Sequence, residues 1–356
     1  MRRPYPPLFL PGPTRLAALG RRRALIVMAA AAIVCLFAAL LPAPDPEPHL
    51  SRQIAFHGAI ADRMRRGGED YYTATAAALR GSDMALRPFT AFPPPITATV
   101  VAILSVALPA FMMAIAAGAA AIWSARLSPS RPPHRACMAI AIAGTVAATW
   151  SGALVLPPLW SGLFIALSLA LRRPGRWIDS VAVALAAAII HEAAILYLVL
   201  MAVLAWRERA RREAAGWLGA MMLAAVVIGL HAHAATNATG LFDATSGWTP
   251  AGPLGAIAAL KAATGASLLP AGLATALVLL PVGGWAMWRH PAATRAFATI
   301  LACLVLLAVL PATQVAVALL IVPLLFLGLL PAVDAVRDLI AAVLDTRRIT
   351  VTRVVR

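Results

Sequence analysis

Apolar runs of membrane-crossing length alternate along this chain with short arginine-rich segments. The runs cover 24–43, 96–122, 136–171, 178–206, 217–235, 267–288, 296–310 and 312–333; Pro157-Pro158 interrupts the third and Pro311 parts the last two. The blocks between them hold Arg21, Arg22 and Arg23; Arg126, Arg131 and Arg135; Arg172, Arg173 and Arg176; Arg207, Arg209, Arg211 and Arg212; Arg289 and Arg295; and a basic stretch over 337–356. About 20 apolar residues cross the hydrocarbon core as a helix, and arginine-rich loops stay cytoplasmic. If every block lies on that side, an even number of crossings separates each pair of neighbours. Segment 136–171 then holds two short crossings. Segment 178–206 is too long for one span and too short for two full ones. It predicts a bent hairpin that turns near His191-Glu192, a break tolerated where protein surrounds it. The result is an all-α polytopic transmembrane helical bundle of about ten crossings, with short broken helices and both ends cytoplasmic. Its parts are a cytoplasmic arm over 1–23, a transmembrane domain over 24–335 and a basic cytoplasmic tail over 336–356.

The first outer loop, 44–95, is the longest polar stretch. Its six arginines and six acids cancel. Phe56, Ile60 and Met64 recur every four residues, with Arg52, Arg63 and Arg66 off that stripe, so the pattern predicts an amphipathic helix lying on the membrane surface. Gly67-Gly68 ends it, a second short helix follows over 70–80, and 87–95 reads as extended proline-rich chain. Further outer segments lie around Pro157 and His191 and over 236–266.

Composition supports this reading. Of 356 residues 62% are hydrophobic and 12% charged, where soluble domains carry about 25% charged residues. The formal charge of +16 does not point to nucleic acid, because the arginines fall in loops between apolar runs. Cys35, Cys137 and Cys303 all lie inside such runs, which argues against a disulfide framework or a zinc site. The basic-then-apolar order at 21–41 is read as a signal anchor; the Pro42-Ala43-Pro44-Asp45-Pro46 sequence that follows is a poor cleavage site.

Few residues offer chemistry. Glu69-Asp70-Tyr71-Tyr72 sits in the first outer loop: a carboxylate there suits a general base or a divalent-cation ligand, and Asp70 equally suits the cap of the following helix. His191-Glu192 places an ionisable pair in an apolar run, a functional signal by default or a structural pair held by a neighbouring helix. It does not complete a zinc-protease motif, because position 195 is Ile. His231 and His233 do not share a helical face. Asp243, Trp248 and Lys261 form an outer set; Lys261, the chain's only lysine, suits a lipid phosphate or a snorkelling position. Trp150, Trp160, Trp248 and Tyr197 read as interfacial anchors.

The cytoplasmic arm, single span and long outer loop with surface helices and an acidic pair resemble the GT-C superfamily of polyprenyl-phosphate-dependent glycosyltransferases. The motif part covers about 30 residues: Glu69-Asp70, then Tyr71-Tyr72 through Arg80, Leu86-Arg87-Pro88-Phe89 and Pro93-Pro94-Pro95. The short basic tail after Pro331 departs from larger members, which carry a further outer domain there. The resemblance implies Asp70, with Glu69, as base or metal ligand. It implies substrate contacts at Tyr71, Tyr72, Arg80, Arg87, His191, Glu192 and Lys261, with Asp70 as the ligand of any divalent cation, Mg or Mn. The expected partners are a lipid-linked sugar donor, a glycan, lipid or protein acceptor, and membrane lipids. No P-loop or Rossmann fingerprint is present, which fits a donor carried by a lipid rather than a nucleotide. The expected place is the inner membrane of a bacterial cell, with transfer on its outer face. The alternatives are a transporter or flippase that uses His191-Glu192, and a non-catalytic membrane subunit in which the acids are caps.

Topology is testable directly. In a cysteine-free background, a membrane-impermeant thiol reagent should label Asp70→Cys from outside intact cells and reach Ala210→Cys only after permeabilisation. Labelling of both positions from one side would end the parity argument.

Overall fold

The computed structural model describes residues 7–40, 45–80, 92–127, 131–239 and 249–344. Their architecture is helical throughout, with no strand among the described residues beyond two isolated bridges. Fourteen α-helices follow in order: α1 (Arg21–Leu40), α2 (Glu47–Gly67), α3 (Tyr71–Arg80), α4 (Pro95–Leu104), α5 (Leu108–Leu127), α6 (Arg131–Trp150), α7 (Pro157–Leu171), α8 (Ile178–Ile190), α9 (Ile195–Arg207), α10 (Arg211–Thr239), α11 (Gly252–Ala263), α12 (Ala271–Met287), α13 (Pro291–Val309) and α14 (Val322–Leu344), the last preceded by a 3₁₀ helix, Ala312–Leu320. Four stretches are long and apolar enough to cross a membrane: Arg21–Leu40, Pro95–Leu127, Arg211–Ala238 and Pro291–Val309. A bent pair, Gln314–Leu320 with Val322–Leu344 at 48°, makes a fifth. Ile33, Phe37, Met222, Leu230 and Val305 are exposed on their outer faces, the surface that a lipid-embedded bundle presents.

The arginine blocks meet at one end of the bundle. Arg172, after α7, places Nε and an Nη on the two oxygens of Glu213 at 2.9 Å each and bonds Glu208 at 3.2 Å. Glu208, after α9, also receives Arg295 of α13. Arg126 of α5 donates to the Arg172 carbonyl. At the same end, the Asp334 carboxylate of α14 accepts the amides of Leu8, Phe9 and Leu10 at 2.7–2.9 Å, and Asp338 accepts both the amide and the hydroxyl of Thr14. The expected arm and tail are therefore a joined structure. α1 starts at Arg21, and α14 runs to Leu344, past the expected boundary at 335.

The sequence's punctuation appears as breaks. The 178–206 run is the expected hairpin, broken at His191 between α8 and α9; the Arg172–Glu208 bond ties its two outer flanks together. The run read as one span over 96–122 is one apolar stretch, Pro95–Leu127, with a local break between α4 and α5 where Ser105 has φ +42°. Pro109 explains it: proline gives no amide to the carbonyl of Ser105, and its ring crowds that carbonyl. Pro323 stands in the same relation to the 3₁₀-to-α14 bend. Two of the expected interfacial aromatics are core instead. Trp160 is buried and donates to the Leu154 carbonyl at 2.7 Å. Tyr197 is buried and bonds Ser168 at 2.9 Å. Trp150 lies almost fully exposed, and Trp248 lies outside the described residues.

Helices approach closely at glycines. A Cβ on Gly284 of α12 would stand 2.5 Å from both Ala332 N and Gly328 O of α14, so no side chain fits without a backbone shift. Gly283 has open space. Gly284→Ala should lower unfolding stability in detergent by about 1–3 kcal/mol, and Gly283→Ala should stay within about 0.5 kcal/mol of the parent.

Candidate functional site

The end of the bundle away from the Arg126, Arg172 and Arg295 cluster is covered by α2 and α3. α2 buries Phe56 and Ile60, with Met64 half-buried, and leaves Arg52, Arg63 and Arg66 exposed, as the four-residue stripe predicts. It ends at Gly68, whose φ of +64° is left-handed and favours glycine. Near its end Arg65 bonds Asp62 at 2.9 Å and the Ser105 hydroxyl, which ties the surface helix to the break between α4 and α5.

α3 then starts on Asp70. Its Oδ1 accepts the amides of Tyr72 and Thr73 at 3.0 and 3.2 Å, and its Oδ2 accepts the Thr73 hydroxyl at 2.5 Å. This is a helix cap. Those donors, the Thr73 hydroxyl first, hold the Asp70 carboxyl below the usual carboxylate range. Glu69 differs: Oε1 lies 3.4 Å from Arg63, while Oε2 is buried and has no partner.

Tyr71 and Tyr72 point into the bundle. The Tyr71 hydroxyl donates to the Pro93 carbonyl. Burial pushes its pKa up, and the nearby Tyr72 and Glu192 act in the same direction. Tyr72 meets His231 of α10 with its hydroxyl 3.0 Å from Nδ1, and His231 Nε2 lies 2.8 Å from the Phe92 carbonyl. A carbonyl only accepts, so Nε2 carries the proton and Nδ1 accepts from Tyr72. His231 lies 20 residues beyond Arg211 along α10, or about 30 Å at 1.5 Å per residue, which matches the thickness of a bilayer core.

The broken hairpin contributes the second candidate pair. His191 caps the turn by accepting the Ala193 amide on Nδ1 at 3.2 Å. Its neighbour across the loop is His57 of α2, on which its charge acts. The Glu192 carboxylate has no hydrogen bond or ion pair among the described residues, and its charge acts on Tyr71. The structure therefore brings Tyr71, Tyr72, His191 and Glu192 together, adds His57, and gives His231 a partner in Tyr72. His57 had a sequence signal: it sits three residues before Ile60, on the edge of the buried stripe. The spacing of His231 and His233 carries no trace of this role, because the partners of His231 come from the loop. An open space of about 610 Å³ lies beside Tyr72 and His231, walled by Pro95, Ile96, Ile189 and Ile228.

Other expected residues lie apart. Arg80 is exposed at the end of α3, and Lys261 lies in the last turn of α11, where a cation complements the helix dipole. Arg87 and Asp243 lie outside the described residues. No group of three His, Cys, Asp or Glu able to hold a metal occurs among the described residues. Asp70, the expected cation ligand, accepts cap bonds on both of its oxygens.

No protein-family model matches the chain, nor does any curated protein or solved structure.

His57 makes the site pH-sensitive. Burial, then the charge of His191, lowers its pKa to about 3, below the ordinary 6.5. The folded state thus resists a proton that the unfolded chain takes up. Its contribution is complete above pH 6.5 and is lost as pH falls toward 3. Melting temperature should drop across that window, and His57→Gln should flatten the drop.

Proposed function

We propose that the chain is a membrane glycosyltransferase of GT-C type, moving a sugar from a polyprenyl-phosphate carrier to an acceptor hydroxyl. In this reading the arginine end lies in the cytoplasm of a bacterial inner membrane, and the Tyr72–His231 end faces outward. The ten crossings are α1, α4 with α5, α6, α7, α8, α9, α10, α12, α13, and the 3₁₀ helix with α14. Even parity between arginine blocks, and their meeting at one end, support that count. The observation that carries the functional reading is the approach of α2 and α3 to the hairpin break, where Ala61 shares an apolar cluster with Ile190, His57 faces His191 and Tyr71 faces Glu192. It gathers carboxylates, tyrosines and histidines about 30 Å from the arginine end, beside an apolar-walled space.

The acceptor hydroxyl attacks the anomeric carbon, its proton passes to a carboxylate, and the bond to the carrier phosphate breaks with the electron pair leaving on phosphate oxygen. Glu192 fits the base better than Asp70. Its carboxylate is unengaged among the described residues, whereas Asp70 is occupied by three cap donors and held acidic. Glu69, with one unpartnered oxygen, is placed to orient the acceptor. Tyr72 and His231 position the sugar.

A carrier protein would share one feature, the helix break in an apolar hairpin. The two readings separate on one variant. Glu192→Gln should cut transfer from a labelled polyprenyl-phosphate sugar in proteoliposomes by about 10²–10⁴-fold, while Asp70→Asn, whose amide oxygen still caps α3, should keep activity within about 10-fold. Loss of proton-driven uptake in Glu192→Gln, with transfer absent in the parent, would establish the carrier instead. Unchanged surface glycan in both variants would leave a non-catalytic subunit.

A further inference from the structure

Buried polar atoms in this bundle are mostly paired, and two of the exceptions among the described residues lie at the arginine end: Nε of Arg126 and Nε of Arg295. Arg295 is 2% exposed. The carboxylates at that end are already engaged. Glu213 takes the Arg172 fork and the Trp217 indole N–H at 3.3 Å, and Glu208 takes Arg172 and Arg295. Three guanidinium groups face two carboxylates, and Arg126 touches neither. What surrounds Arg126 is positive: the charges of Arg173 and Arg172 act on it, and its own acts on His290, which caps α13. Such a group inside a folded bundle lacks one thing, an anion.

The local backbone is built to present these charges. Arg173 and Arg176 exchange backbone bonds of 3.1 and 3.0 Å across Pro174-Gly175, and Gly175 supplies the φ of +77° that the turn needs. The closed turn holds Arg173 exposed beside Arg126. Arg126 ends the Pro95–Leu127 stretch, which places it at headgroup depth, where phosphate is abundant.

We propose that Arg126, with Arg173 at its rim and Arg172 behind it, forms a binding site for a phosphate group, carried by an anionic phospholipid or free as inorganic phosphate. Planar guanidinium forks match phosphate oxygens in pairs. The site lies at the opposite end from Tyr72 and His231 and does not depend on the function proposed above.

The test uses the full chain in nanodiscs, with melting temperature as the readout. Phosphatidylglycerol in the disc should raise it above phosphatidylcholine alone if a lipid headgroup is the occupant. Inorganic phosphate, against chloride at matched ionic strength, should raise it in phosphatidylcholine discs if free phosphate is. Arg126→Gln should lose most of the rise, and Arg211→Gln, which removes an exposed charge at the same end, should keep it. If Arg126→Gln does not fold, Arg126→Lys decides: it keeps the charge, loses the fork, and should still lose most of the response. Native mass spectrometry of the parent counts retained phospholipid independently. No rise with either probe and no retained phospholipid would overturn the site, as would an equal rise in the Arg126 variants.

Discussion

The fold is organised by a charge cluster that an apolar bundle has to close. Arg172, Glu213, Glu208 and Arg295 come from four separate segments, and all but Glu208 are nearly inaccessible. A buried ion pair adds little to stability against an apolar substitute, but removing one partner costs roughly 3–5 kcal/mol, because the other charge is stranded. The cluster therefore acts as a registration device. It fixes the ends of α7, α9, α10 and α13 at one level, and the helices that leave from there have their lengths set by where the chain must turn. Short helices such as α8 and α9 are possible because their turn is enclosed by α2, α3 and α10 rather than by lipid.

That enclosure makes the opposite end a chemical environment. A glutamate in an apolar hairpin would be costly alone. Here a lid of two surface helices brings Tyr71 within reach of its charge and supplies a histidine on each side. The same lid uses up Asp70, the acid most visible in the sequence, as the foundation of α3. Helix capping and acid-base chemistry ask for the same residue type at the same place, and the cap is the role that the hydrogen bonds display.

Much of the plan was legible from the chain. Apolar runs, arginine blocks and the Phe56–Ile60–Met64 stripe located the helices, the surface element and the broken hairpin, since each follows from local period or charge. What escaped depends on contacts distant in sequence. The 159 positions between Tyr72 and His231 leave no local trace. Trp160 and Tyr197 have amphipathic rings that suit an interface or a core equally, and only the polar atoms around them decide. The break at Ser105 was written in Pro109 but lay inside a run of otherwise uniform apolarity.

The clasp between the first residues and the last helix bears on how the molecule is made. The amide of Leu10 finds Asp334 across 324 positions. Synthesis at about 5–20 residues per second leaves the leading segment waiting roughly 16–65 s for its partner to emerge. Until then Leu10, Leu16 and the face of α1 that rests on α12 and α14 have no seat. The nascent protein thus carries an unfinished seam for as long as those 324 positions take to be made.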